Sequence, residues 1–206
     1  MTESEQSHWD DVYERKAPAE VSWYQEVPDK SLALVKRSGV SRQDAIIDVG
    51  SGASTLVDHL LDAGYCDVTM LDLADRAFES SRERLGGRAN IVNWVVADIR
   101  QFCPARRYRL WHDRAVLHFL TVPADRVRYV DVLKASLAPG GTAIIAVFGP
   151  DGPMKCSGLD IRRYNVTMLE ELLGPEFQLQ THELENHETP TGAIQQFLYS
   201  CWTRRD

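Results

Sequence analysis

Apolar and polar residues alternate in blocks along most of the chain. Short runs of aliphatic and β-branched residues, typical of buried strands, are separated by longer segments with apolar residues three and four positions apart, which is typical of amphipathic helices. Strands that alternate with helices predict a parallel, doubly wound α/β sheet. The predicted strands are 45–49, 68–72, 91–97, 108–113 and 142–148. The predicted helices are 54–63, 75–84, 123–137 and 167–173.

The two ends of the chain differ from this alternating middle. At the start, a helix with Ser7 as its N-cap, a loop at 21–24 and a second helix at 29–37 precede the first strand. At the end, residues 177–185 and 194–202 alternate between apolar and polar positions, which predicts two more strands. We expect one domain over residues 1–206, with residues 1–40 as a helical lid segment within it, since 206 residues suffice for one full core.

Composition narrows the class of protein. The chain is 44% hydrophobic and 26% charged, and no apolar run approaches the ~20 residues that a membrane span needs. The net charge of −7 and the absence of a basic tract disfavour nucleic acid as a partner. The four cysteines show no metal-ligand pairing, so we expect no metal, reduced thiols and a cytoplasmic location. We expect the protein to be either a monomer or a homodimer.

The first predicted strand runs into a glycine turn, Asp48-Val49-Gly50-Ser51-Gly52, and the second ends in Asp72. Glycines let the backbone approach a ligand closely, and a carboxylate about twenty residues further on can bind a ribose diol. The turn lacks the last glycine of the dinucleotide pattern, and Asp48 within it would repel a pyrophosphate. No Gly-Lys-Ser/Thr follows, so a Walker loop is excluded. The turn therefore predicts a nucleoside cofactor that is cationic and carries no phosphate.

These motifs, with three more in the same order, resemble those of the class I S-adenosylmethionine-dependent methyltransferases. The others are Val95-Val96-Ala97-Asp98, the strand Tyr108 to Arg114, and Leu137-Ala138-Pro139-Gly140-Gly141-Thr142. The resemblance covers residues 40–205 and departs at Ser54, where the family has a third glycine. It implies a seven-stranded, mostly parallel sheet with a C-terminal antiparallel hairpin beside the fifth strand, and S-adenosylmethionine as the cofactor.

The resemblance also implies roles for single residues. Asp48 would support the sulfonium and order the glycine turn, Asp72 would hold the ribose diol, and Asp98 would accept from the adenine amino group while the Ile99 amide donates to the ring. Each acid has a simpler alternative as a helix-capping, surface or turn residue. The full predicted cofactor set is Trp9, Tyr13, Trp23, Asp48, Gly50, Ser51, Gly52, Ser54, Asp72, Leu73, Asp98, Ile99 and Asp113.

Aromatic residues cluster ahead of the sheet. Trp9 and Tyr13 share one helix face, and Trp23 and Tyr24 follow in the loop. They would form a lid that excludes water and offers a cation–π face to a sulfonium. The alternative is simple packing of the N-terminal helix on the domain.

The reacting centre is expected where the fourth strand ends. We consider Asp113, Arg114 and His118 the candidate catalytic residues. Arg114 could bind a substrate carboxylate with two parallel hydrogen bonds, or could instead form a structural pair with Asp113. His118 could act as a general base, although a histidine packed against aromatic residues is the favoured alternative. Cys156, in the loop after the fifth strand, could contact substrate.

Three functions remain open. The leading hypothesis is an enzyme that methylates a small thiol, amine or other compact, possibly anionic acceptor. The alternative is a protein-lysine methyltransferase, because the Trp-Asp-x-x-Tyr start and Trp23-Tyr24 resemble a group of eukaryotic enzymes acting on elongation factor. A non-catalytic nucleoside-binding protein is the third, and the intact acids at all three cofactor positions disfavour it.

Overall fold

The computed structural model describes residues 3–205, which form a seven-stranded sheet with helices on both faces. The helices are α1 (Glu3–Arg15), α2 (Asp29–Arg37), α3 (Leu56–Asp62), α4 (Glu79–Leu85), α5 (Pro123–Ser136) and α6 (Val166–Leu173). The strands are β1 (Ile46–Val49), β2 (Val68–Asp72), β3 (Val92–Val96), β4 (Tyr108–Arg114), β5 (Leu137–Phe148), β6 (Lys155–Cys156), β7 (Leu159–Asp160), β8 (Phe177–Glu188) and β9 (Ile194–Arg204).

The strand order in the sheet is β3-β2-β1-β4-β5-β9-β8. Strands β1 to β5 pair in parallel, and β9 pairs antiparallel with both β5 and β8. The predicted fold class is therefore confirmed, including the C-terminal hairpin beside the fifth strand. Because the chain order reverses between β1 and β4, this part of the sheet edge is the point where α/β proteins bind ligands.

Both faces of the sheet are buried, which explains why the central strands are almost continuously apolar. One core cluster lies around Trp111, Leu133 and Trp202, and the other lies around Leu34, Leu56 and Phe197. In the part of the chain that the structure describes, no helix is long and apolar enough to cross a membrane.

Four details differ from the sequence predictions. Helix α1 begins at Glu3, so Ser7 lies inside it and is not its N-cap. The predicted helix at 75–84 is a 3-10 turn (Asp75–Phe78) followed by α4. Strand β5 begins directly after α5, and the register between β4 and β5 shifts where Pro-Gly-Gly interrupts the pairing. The small hairpin of β6 and β7 was not predicted, since two-residue strands leave no periodic signal.

Candidate active site

A cavity of about 330 Å³ lies along the carboxyl ends of β1 to β4, and residues of α1 form part of its wall. We call the part near β1–β3 the acid half, defined by Gly50, Asp72, Leu73, Asp98 and Ile99. The part near β4, the β6–β7 hairpin and the N-terminal loop is the arginine half, defined by Trp23, Arg114, Phe119, Cys156 and Leu159. Residues Trp9 and Tyr13 from α1 also line the cavity.

The glycine turn brings backbone to the floor of the acid half. Gly50 has φ of +61°, and a Cβ there would overlap the Val116 side chain. Gly52 also has a positive φ, and a Cβ there would overlap the hydroxyl of Tyr13. Both positions therefore require glycine for conformation and for space. The turn, the lid helix and the segment after β4 meet here, as the predicted nucleoside site requires.

Asp72 is fixed by the turn that it faces. Its Oδ2 accepts from the Gly52 amide at 2.9 Å and its Oδ1 from the Ala74 amide at 3.1 Å. Burial raises the pKa of Asp72 to about 6, although these backbone hydrogen bonds oppose the shift. Each oxygen retains a lone pair for another donor. The carboxyl group therefore lies in the cavity wall, and its predicted role in binding a ribose diol stays a prediction.

Asp98 belongs to an ion network. Its two oxygens accept from the Arg100 guanidinium at 2.8 to 3.0 Å, and Arg100 also contacts Glu5 of α1 at 2.5 Å and Asp125 at 3.3 Å. The Asp98 pKa is lowered because the hydrogen bonds and charge of Arg100 outweigh burial. Glu5 and Arg100 were not among the residues that the sequence predicts for the site. Their contact spans 95 positions and leaves no local pattern.

Asp48 lies behind the glycine turn and lines a small side pocket of about 40 Å³. Its Oδ1 is 2.7 Å from Nδ1 of His112, whose Nε2 is 2.9 Å from Ser31 Oγ. The other oxygen, Oδ2, is buried with no hydrogen-bond partner among the described residues. Asp48 does not cap α3, whose N-cap is Thr55. An orphaned carboxylate oxygen beside the turn suits a ligand cation, as predicted for this position.

The two serines of the turn contribute indirectly. Ser51 Oγ lies 3.5 Å from the Leu71 carbonyl, and Ser54 Oγ accepts from the Leu56 amide at 3.1 Å. Both line the side pocket with Asp48 and not the main cavity. They therefore hold the turn and the start of α3.

The assignment of Asp113 to the reacting centre was wrong. Asp113 is fully buried and does not line the cavity. Its carboxylate accepts from the amides of Val116 and Leu117 and from the Tyr129 hydroxyl at 2.6 Å. Burial raises its pKa to about 6. The side chain fixes the turn after β4, where Ala115 has φ of +77°.

His118 is also outside the cavity lining, and the packing alternative holds. It is fully buried, stacks on Phe148 with ring centroids 4.4 Å apart, and accepts from the Phe148 amide at 3.3 Å. Burial, with the nearby charge of Arg114, lowers its pKa to about 3. A base that weak and that enclosed cannot take a proton from an acceptor in the cavity.

Arg114 does reach the cavity. Its Nε donates to the Tyr199 hydroxyl at 2.9 Å, its Nη1 donates to the Trp23 carbonyl at 2.8 Å, and its guanidinium lies 4.6 Å from the centre of the Phe197 ring. It does not pair with Asp113 within the described residues. The arginine therefore connects β4, the C-terminal hairpin and the N-terminal loop.

The N-terminal segment is held over the cavity by aromatic and backbone contacts. Trp9 packs edge-on against Trp23 at 5.9 Å and against Phe119 at 5.2 Å. His187 of β8 contacts the Ser22 carbonyl at 2.8 Å. Tyr24 lines only the side pocket. The segment therefore packs on the domain and lines the cavity, while its action as a lid stays a prediction.

Cys156 lines the arginine half and is buried. Burial raises its pKa to about 11, so the side chain is a neutral thiol near pH 7. Next to it, Ser157 has φ of +48°, a conformation that is costly for a residue with a side chain. The β6–β7 hairpin thus forms a wall of the cavity, and its thiol is not a nucleophile.

The sheet order, the glycine turn and the acids at successive strand ends are those expected from the resemblance to class I methyltransferases. Residues 46–141, slightly less than half of the chain, match the family model described as "Methyltransferase domain". This stretch of the chain is therefore similar to a methyltransferase domain.

The chain is also similar to three individual proteins. The chain is 34% identical over 96 residues to "Nodulation protein S" of Sinorhizobium fredii (strain NBRC 101917 / NGR234), which covers 46% of the chain and 43% of that protein. It is 22% identical over 133 residues to the "eEF1A lysine and N-terminal methyltransferase" of Mus musculus, which covers 63% of the chain and 19% of that protein. The chain thus spans less than half the length of either relative.

The third is a solved structure, the 1,6-didemethyltoxoflavin-N1-methyltransferase of Burkholderia thailandensis with bound 1,6-didemethyltoxoflavin and S-adenosylhomocysteine. It superposes with a TM-score of 0.73 at 21% identity and covers 98% of this chain and 85% of that one. At 21% identity, this structural similarity shows a shared fold only.

Proposed function

We propose that the protein transfers the methyl group of S-adenosylmethionine to a small molecule held in the arginine half of the cavity. The observation that carries this proposal is the single cavity in which oriented acids at one end and an enclosed, mostly apolar wall at the other are covered by the N-terminal helix. The match to a methyltransferase domain model and the similar proteins whose names state methyl transfer support the reaction class.

The described residues fit the cofactor at each of its parts. Gly50 and Gly52 permit close approach of the backbone, and Asp72 would accept from the ribose diol. Asp48, behind the glycine turn, would support the positive charge of the cofactor through its electrostatic field. Asp98 and the Ile99 amide are proposed at the adenine end. When bound, the cofactor supplies a methyl group on a positively charged sulfur, which needs no further activation.

The contribution of the chain is therefore positioning and exclusion of water. Trp9, Tyr13 and Trp23 cover the cavity, and a dry site strengthens the electrostatic contacts within it. Among residues 3–205, the lining contains no histidine, and the Cys156 thiol is too weak an acid to serve as a thiolate. The acceptor is thus expected to enter with an available lone pair, as a thiolate or neutral amine does. In-line alignment of that lone pair with the methyl group then supplies most of the rate.

A protein-lysine acceptor is the second candidate, and its support is the match to the mouse enzyme over 63% of the chain.

A screen with radiolabelled S-adenosylmethionine distinguishes a small-molecule acceptor from a protein-lysine acceptor. It would test thiols, amines, phenols, carboxylates and a lysate depleted of small molecules. We expect label in a small molecule. Label only in protein would favour the lysine acceptor, and binding of S-adenosylhomocysteine with no transfer to any acceptor would refute the enzyme.

We further propose one domain over residues 1–206, with the lid segment folded as part of it, acting as a monomer or homodimer. The cytoplasm is the proposed location, supported by four cysteines that are all unpaired.

A further inference from the structure

The two arginines of the cavity wall differ in how their charge is balanced. Arg100 contacts three acids, Asp98, Glu5 and Asp125. Arg114 has no carboxylate within ion-pair distance among the described residues, and its Nη2 is buried with no hydrogen-bond partner. Arg114 is partly exposed, but its buried Nη2 lacks an acceptor, and a ligand anion that reaches this end of the guanidinium would supply one.

Arg114 is held rigidly from behind. The Tyr199 hydroxyl that accepts from its Nε is buried and also hydrogen-bonded to Ser31, which contacts His112. The Trp23 carbonyl accepts from Nη1, so the remaining donors belong to one end of the guanidinium. The two parallel hydrogen bonds to a substrate carboxylate that the sequence predicts would therefore come from that end of the guanidinium. A fixed guanidinium loses little entropy on binding an anion.

Among the described residues, no titratable group forms an ion pair with Arg114, although the charge of Glu185 on β8 reaches both His187 and Tyr199. Burial lowers the pKa of both His118 and His187, and the charge of Arg114 lowers each further, so both are neutral near pH 7. Tyr199 and Cys156 are also neutral, because burial raises their pKa values. Asp160 is the acid at this end of the lining, but it is exposed and pairs with Lys155 at 3.3 Å.

We propose that Arg114 is the anion subsite for the methyl acceptor, which is a flat, largely apolar molecule carrying one negative charge. The aromatic walls of this half, Trp9, Trp23 and Phe119, would take the apolar part. This proposal rests on the proposed function. The cofactor also carries a carboxylate, but Arg114 lies at the end of β4 and contacts β9, on the opposite side of β1 from Asp72 and Asp98. We therefore assign the anion to the acceptor.

Two simple probes test the proposal on the full chain. Benzoate and its uncharged analogue benzamide would be titrated by ligand-observed NMR, with and without saturating S-adenosylhomocysteine. The variants are Arg114→Met and Arg114→Lys. The matched control is Arg109→Met, which removes an arginine near the other end of β4 that donates to the Pro139 carbonyl at 3.0 Å.

In the wild type and in Arg109→Met, benzoate should bind on the order of tenfold more tightly than benzamide, the scale of one charge-assisted hydrogen bond. Arg114→Met should bring the ratio to about one, and Arg114→Lys should leave an intermediate ratio. A ratio is used because a disturbed lid would weaken both probes alike. Equal binding of the probes to the wild type, or failure of both to bind, would overturn the proposal.

Binding of S-adenosylhomocysteine and of 5′-methylthioadenosine, which lacks the carboxylate, separates the remaining outcomes. If Arg114→Met weakens only the former and leaves the benzoate ratio intact, the arginine serves the cofactor and the proposal fails. If the wild type binds neither nucleoside, the proposed function fails, while the benzoate ratio in the free protein still reports on the anion subsite.

Discussion

The acid half and the arginine half of the cavity satisfy their charges in different ways. In the acid half, Asp72 accepts from two backbone amides and Asp98 is paired with Arg100, so the partners are supplied by the chain itself. In the arginine half, Arg114 receives neutral partners only, Tyr199 and the Trp23 carbonyl. Within the acid half the Asp98 charge is balanced by Arg100, whereas Arg114 has no ion-pair partner among the described residues, so we expect an acceptor anion in the arginine half.

The halves also differ in how they are assembled. The acid half comes from turns after β1, β2 and β3, within about fifty consecutive residues. The arginine half combines β4, the β6–β7 hairpin, β9 and the N-terminal loop. Disturbing the lid should therefore affect catalysis more than it affects the sheet.

The largest expected effect is that of removing the lid. Deletion of residues 1–24 should leave a cooperatively folding sheet, since α1 pairs with no strand, but should lower kcat/KM on the order of a hundredfold because substrate and water are no longer ordered. Thermal unfolding and turnover would be measured together. Trp9→Ala is the milder companion, because it removes the ring that contacts Trp23 and Phe119. An undiminished kcat/KM in both variants would show that the segment only packs.

The next effect concerns the contact between lid and glycine turn. In Gly52→Ala, the new Cβ would overlap the Tyr13 hydroxyl, so we expect S-adenosylhomocysteine affinity to fall about tenfold, the scale of forcing a packed contact apart. Gly86→Ala is the matched control, since it has a similar φ of +55° and nothing within 4 Å of the added carbon. Calorimetric titration of both variants would separate backbone strain from displacement of the lid. Equal loss in the two would contradict the contact.

A smaller effect should appear in the stability of the free protein as the pH changes. The pKa of folded Asp72 is about 6, above its ordinary value of 3.8. Its ionised form therefore destabilises the free protein above pH 6, and this cost fades as the pH falls toward 4. Asp113, with a pKa of about 6, acts in the same direction.

Cofactor binding should show the opposite trend. Protonated Asp72 is a poorer acceptor for a ribose diol, so affinity for S-adenosylhomocysteine should fall as the pH drops from 7 to 5. The Asp72→Asn variant should bind S-adenosylhomocysteine weakly, and its affinity should change less with pH than that of the wild type. Wild-type affinity that is independent of pH over this range would contradict the assignment of Asp72.

The positions of Asp72 and Asp98 in the acid half could be predicted from the sequence because both residues follow strands in local motifs. The glycines and the acid at the end of the second strand can be recognised in the sequence itself. In the structure, Asp48 of β1 and His112 of β4 are register partners. The arginine half was only partly predictable. Which way a side chain points after a strand depends on the turn, and the amides of Val116 and Leu117 draw Asp113 inward while Arg114 reaches the cavity. Contacts such as Glu5 with Arg100 depend on the completed fold.

The central claim is that the acid half binds the nucleoside of S-adenosylmethionine through Asp72. Isothermal titration of the wild type and Asp72→Ala with S-adenosylhomocysteine, with NAD as the negative control, tests it most directly. We predict that the wild type binds S-adenosylhomocysteine and not NAD, and that the substitution weakens binding by about 1–3 kcal/mol, the scale of a lost hydrogen bond to a charged group. Unchanged affinity in Asp72→Ala, or no binding by the wild type, would contradict the claim.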